Sequence, residues 1–215
     1  EGPPEENPWG IRFGTMFHMS NDSHLFRTRE ELEREGWVLE GNVFVKREAA
    51  GGKAARYLPL YEAKMVHQFD HRWATYDGSE VRDVTVAEKQ NPYFFALPRY
   101  WVAEGDVSAA IPPRDGRALA WLLGFRDIAR STDERTAIFG ILPWVAVGNK
   151  FPLAILSVRH ERLALCLQAC CSGMPFDFAV RQKLGGTTMN FFYVQQLPVL
   201  PPTAFAGACP WVACL

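Results

Sequence analysis

Residues 57–78 read YLPLYEAKMVHQFDHRWATYDG. Aromatics, basic side chains, two histidines and three carboxylates crowd into this stretch, with few plain core residues between them. Such a composition is costly to bury and wasteful to expose unless it touches something. Lys64, His67, His71 and Arg72 are its candidate contact residues.

On the N-terminal side, residues 11–19 predict a strand around Gly14. Thr28 and Glu31 have the spacing of a capping box, and the short polar helix behind them stops at Gly36. Residues 37–39 and 43–45 flank Gly41-Asn42, a two-residue hairpin signal. Residues 49–53 read as a flexible loop.

On the C-terminal side, residues 77–90 are polar and charged and read as a loop or surface element. Residues 93–102 are aromatic but interrupted by Pro98, which suits an edge strand or a loop. Pro112-Pro113 marks a seam between two candidate lobes, 9–111 and 114–202. Residues 118–129 and 136–147 predict strands flanking a polar turn at 131–135, since Gly124, Gly140 and Pro143 weaken a helix. Residues 153–171, with Leu156, Leu163 and Leu167 at helical spacing, form the strongest helix candidate, ended by Gly173 and Pro175. A second helix is expected over 176–183 before Gly185-Gly186, a strand over 196–202, and a tail over 203–215. The predicted class is α+β, a mixed or antiparallel β-sheet core with peripheral helices.

Hydrophobic residues make up 48% of the 215 and aromatics 13%, values of a folded globular chain. No run of about eighteen apolar residues is present, which argues against a membrane span. The opening EGPPEENPWG has neither a signal-peptide pattern nor an initiator Met. It reads as a linker over residues 1–8, in a piece of a longer polypeptide. The net charge of −1 conceals a gradient: residues 1–113 carry 13 basic and 18 acidic side chains, residues 114–215 carry 10 and 6. Cys166, Cys170, Cys171, Cys209 and Cys214 form no Cys-x-x-Cys pair, so a reduced, cytoplasmic protein without structural zinc is expected.

Catalytic motifs are incomplete. Around Gly14 there is one glycine where an S-adenosylmethionine turn needs more, and Asn91-Pro92-Tyr93-Phe94 lacks the second proline of an adenine-methylating loop. Glu62-Ala63-Lys64 matches half of a magnesium-dependent nuclease site, with Asp22 and Glu40 as loose candidates for the missing carboxylate. His67 and His71 share the spacing of helical metal ligands, but Gln68 stands where a zinc protease has its Glu. No catalytic residue and no metal ligand is assigned.

Four further stretches extend the pattern in order: residues 9–26, FRDIARSTDERT at 125–136, LPWVAVG at 142–148, and FDFAVRQKLGG at 176–186 with NFF at 190–192 and QLPV at 196–199. With YLPLYEAKMVHQFDHRWATY, they resemble the target-recognition region of bacterial N6-adenine DNA methyltransferases from restriction-modification and phage-defence systems. The resemblance spans most of residues 8–202. Trp144, Asp133 and Cys170-Cys171 depart from the family's Arg, Asn and Leu-Asn.

The resemblance implies a TaqI-like specificity domain that is not itself catalytic. The methylating domain, with its S-adenosylmethionine, lies elsewhere in the same polypeptide. The partner it implies is double-stranded DNA, with a fused restriction endonuclease open. Base edges are read by Arg, Lys, Asn and Gln, and phosphates fix the register. Lys64, His67, His71, Arg72, Arg126, Arg130, Thr132, Arg135, Lys150, Arg181 and Lys183 are the implied DNA-contact set. Asp127, Asp133 and Glu134 are alternative partners that would tie the arginines into structural ion pairs. Phe191, Phe192 and Tyr193 read as core. A nuclease domain around Glu62 and Lys64, or a specificity subunit acting by protein interaction, are the competing readings.

Overall fold

The computed structural model describes residues 7–47, 54–112, 120–157 and 162–207. The 49–53 loop, Pro113, most of the linker and the end of the tail lie outside them. Arg12–Gly14 is a short strand (β1), within the longer one expected over 11–19. Thr28 caps the helix Arg29–Arg34 (α1): its hydroxyl accepts the Glu31 N–H at 3.3 Å, and the Glu31 carboxylate accepts the Thr28 N–H at 2.9 Å. Val38–Glu40 (β2) and Val43–Lys46 (β3) pair antiparallel around Gly41, whose φ of +65° is the left-handed geometry such turns demand. Ala55–Tyr61 (β4) opens the 57–78 segment.

Residues 77–90 form an exposed hairpin strand and an exposed helix, the surface element of the two forms expected for them and not the loop. Ala74–Asp77 (β5) and Glu80–Asp83 (β6) form a hairpin, and Val86–Gln90 (α2) follows a second capping box, Thr85 with Glu88. The helix is polar and buries no residue, so periodicity was silent while the cap signature was present. Trp101–Ala103 (β7) leads into Glu104–Ala110 (α3).

The second half supplies Trp121–Phe125 (β8), Phe139–Pro143 (β9), Ala146–Val147 (β10) and Leu153–Ile155 (β11), then Ala164–Ser172 (α4), Met174–Lys183 (α5) and Phe191–Gln195 (α6). The helix expected over 153–171 is thus corrected: its first residues are strand and its helix begins at Ala164. Residues 196–202 are not a strand; they follow α6 and lead into a 3-10 helix at Pro202–Phe205.

Two main sheets result. One has β3 and β7 antiparallel to β4, β2 outside β3, and β10 running parallel to the end of β4. The other runs β1-β11-β8-β9, all antiparallel. The class is α+β. β1, from the N-terminal end, belongs to the sheet of the second half, while β10, from the second half, belongs to that of the first.

Alternation along the strands arranges the layers. Leu122, Leu142 and Leu153 join Leu58, Leu60 and Val102 in a core between the two sheets. Their neighbours Leu123, Phe139 and Ala154 point the other way, into a second core with Leu167, Phe176 and Val180 of α4 and α5. A third cluster, Leu32, Phe44 and Trp101, fastens α1 to the outer face of the first sheet. The β1-β11-β8-β9 sheet is therefore apolar on both faces, which erases the alternation that marks a half-buried strand. That explains the misreading of 153–155.

Gly124 and Gly140 face each other across β8 and β9. A Cβ on Gly124 would come within 2.5 Å of the Phe151 ring, and one on Gly140 within 2.7 Å of Val66. These glycines leave room on the sheet face for the Phe151 ring and Val66.

Candidate nucleic-acid interface

The C-terminal ends of β4, β8 and β10 converge, and the loops leaving them line a cleft of about 250 Å³. Glu62 and Lys64 come from the first loop, Arg126 and Ile128 from the second, and Asn149 and Lys150 from the third. Three cations from three distant segments thus face one space. Lys64 is half exposed, lies 3.5 Å from Glu62 and sits 4.9 Å above the Tyr76 ring. Glu62 also accepts the Tyr76 hydroxyl at 2.5 Å. Lys150 pairs with Asp127 at 3.2 Å and remains half exposed. Burial pushes the Asp127 carboxyl above its ordinary range despite that lysine.

Arg126 differs from the other cations of the cleft. Its Nε, like that of Arg135, is buried without a hydrogen-bond partner, but unlike Arg135 its guanidinium donates to no acceptor among the described residues. Desolvation lowers its pKa, with Asp133 opposing. An arginine stays charged under all ordinary conditions, so an unsatisfied, partly dehydrated guanidinium is a standing cost that an anion in the cleft would relieve. Four residues on, Arg130 is exposed, and its side chain has no partner among the described residues. Thr132 is exposed on the same turn.

The other three arginines of the candidate set, Arg72, Arg135 and Arg181, are committed to the fold. Arg72 donates to the carbonyls of Lys89, at the end of α2, and Phe94, at 3.0 and 3.4 Å. Arg135 donates to the Ser172 carbonyl at 2.7 Å and stands 3.8 Å from Asp177. Arg181 clasps the polar turn: Nη1 donates to Ser131, Nη2 to Asp133 and Glu134, and Nε to Asp177 at 2.8 Å. Asp177 is the buried hub and also takes the N–H groups of Thr136 and Ala137. Burial would raise its pKa, but the Ala137 N–H and the Arg181 and Arg135 guanidiniums outweigh that and hold it low. Lys183 lies away from the cleft and donates to Gln196.

The His67 ring stacks on Trp73 at 4.4 Å, and burial together with the Arg126 charge lowers its pKa. Among the described residues, no group of three or more His, Cys, Asp or Glu is arranged to hold a metal ion. Glu40 pairs with Arg47, and Asp22 accepts the His18 N–H, so both loose nuclease carboxylates are engaged elsewhere. Gly14 closes β1 opposite Leu153 and does not fit an S-adenosylmethionine turn. Asn91 ends α2, and its carboxamide accepts the Tyr93 N–H, as in an ordinary Asx turn.

Two features escaped the sequence reading. Asn149, whose side chain has no partner among the described residues, lines the cleft; its type suits base-edge reading, but one Asn in a loop gives no signal. Phe69, at the apex of the turn after His67, is 78% exposed. Comparison with family models, curated proteins and solved structures finds no match to this chain.

Proposed function

We propose that this chain is the DNA target-recognition module of a cytoplasmic N6-adenine DNA methyltransferase from a restriction-modification or phage-defence system. The methylating domain, which would bind S-adenosylmethionine, is the other part of the same polypeptide. The resemblance of residues 8–202 supplies the family. The observation that carries DNA binding is Arg126, a half-buried guanidinium without a hydrogen-bond acceptor among the described residues, in the lining of a cleft shared with Lys64 and Lys150. Phosphate is the anion that such a cleft accepts on a duplex. Asn149 and Arg130 supply donors of the kind that read base edges.

The module holds the duplex in register while the catalytic half acts on an extruded adenine. The test is an anisotropy titration of a fluorescein-labelled mixed-sequence duplex across a salt series. Wild type should bind with a log–log salt slope, and Arg126→Ala and Lys150→Ala should each flatten it by about one. Absence of duplex binding even at low salt would sink the reading. For the parent, an upstream reading frame without a cofactor turn and an Asn-Pro-Pro-aromatic loop would remove the methyltransferase assignment.

A further inference from the structure

Phe69 combines two unfavourable features in one residue. Its φ is +63°, making it the one non-glycine with positive φ among the described residues, and its side chain is 78% exposed. A bulky residue in the left-handed region is strained, and glycine or asparagine would make this turn without strain or exposed ring. The ring takes part in none of the three hydrophobic clusters.

The turn beneath it is densely hydrogen-bonded. His67 and Asp70 exchange both backbone hydrogen bonds, at 2.8 and 3.0 Å. The Gln68 amide donates to the Ser172 carbonyl at 2.7 Å, the same oxygen that takes Arg135. Asp70 accepts the Arg72 N–H and pairs with Lys89 at 2.7 Å, and Lys89 in turn covers the Trp73 ring on which His67 stacks. The turn continues the loop that carries Lys64 into the cleft, five residues before Phe69, and is held to β9 by Val66, which packs against Gly140. Strain held by a stiff frame at a ligand-facing position is a mark of pre-organisation.

We propose that Phe69 is a stacking wedge that inserts against an unstacked base of DNA held by the cleft; this rests on the DNA-recognition reading. A docking patch for protein would need contiguous apolar surface. Phe69 is instead flanked in the chain by Gln68, Asp70, His71 and Arg72, so a single flat ring rises among polar and basic groups, the arrangement that takes a nucleobase face.

The experiment measures the affinity of wild type, Phe69→Gly, Phe69→Trp and Lys150→Ala for a fluorescein-labelled mixed-sequence duplex, with and without one abasic site, alongside thermal unfolding. Phe69→Gly should weaken binding roughly 5- to 150-fold, the worth of one base–aromatic stack, with its unfolding midpoint unchanged or raised by relief of strain. Phe69→Trp should retain affinity, and its added emission should be quenched on binding. Wild type should prefer the abasic duplex, where a gap awaits the ring. If Lys150→Ala weakens binding while Phe69→Gly does not, the wedge is overturned and DNA recognition stands. If Phe69→Gly loses affinity and stability together, the residue serves the turn and the wedge is overturned. If wild type binds neither duplex, DNA recognition itself fails and takes the wedge with it.

Discussion

Arg126 and Arg181 sit in two basic regions built to opposite ends. Around Arg181, every guanidinium nitrogen finds an acceptor in the protein: three carbonyls of the 131–134 turn and the Asp177 carboxylate. Around Arg126, three cations line a cleft with Glu62 alone as a carboxylate in the lining. The first region uses charge to fix a loop that lacks secondary structure; the second pairs Lys64 and Lys150 with one carboxylate each and leaves Arg126 without an acceptor. A count of arginines cannot separate the two, because the difference lies in which backbone carbonyls need a donor.

The largest effect should come from breaking the clasp. Asp177→Ala leaves Arg181 and Arg135 without their carboxylate and strands the Thr136 and Ala137 N–H groups, and should cost about 3–5 kcal/mol in urea unfolding. A loss below about 1 kcal/mol would mean that the turn does not depend on its charge hub.

Arg126→Ala should do the reverse, lowering duplex affinity roughly tenfold while leaving folding stability unchanged or improved, since a dehydrated, unpaired cation disappears. Arg72→Ala should resemble the clasp on a smaller scale, costing about 1–2 kcal/mol through the carbonyls of Lys89 and Phe94, with duplex affinity nearly intact. If its binding loss matched that of Arg126→Ala, the division between the committed Arg72 and the acceptor-free Arg126 would be wrong.

The smallest effect is in pH. Asp177 is held low, so its stabilisation is complete above the ordinary carboxylate range and is lost as pH falls through its folded value. His67 is also held low, so stability declines as pH drops below about 6.5, where the unfolded ring takes a proton first. An NMR titration should therefore show the His67 midpoint moving upward in Arg126→Ala.

Local signals were legible where the chemistry is local. The Thr28 box and the Gly41-Asn42 hairpin follow from neighbouring residues alone, and the Thr85 box was equally readable in TVAE at 85–88. Long-range facts were not. The strand at 153–155 depends on Gly124 opposite it, and its two-faced burial hides its period. Lys64, Arg126 and Lys150 were each in the candidate set, but their gathering was not, and their separation from Arg72, Arg135 and Arg181 depends on carbonyls such as Ser172 and Lys89. The left-handed Phe69 ran against residue preference, so sequence rules pointed away from it.

The exchange of β1 and β10 between the sheets carries a consequence for how the molecule comes apart. Phe13 pairs with Ala154 and Ala146 with Leu60, so each half is stitched by a strand of the other. Neither half can peel off without first tearing a pairing between residues far apart in the chain, which couples the two cores into one cooperative unit and slows its assembly. Tryptophan fluorescence and far-ultraviolet dichroism should then trace a single coincident melt. A duplex pulling on the loops at the ends of β4, β8 and β10 would meet the resistance of the whole body.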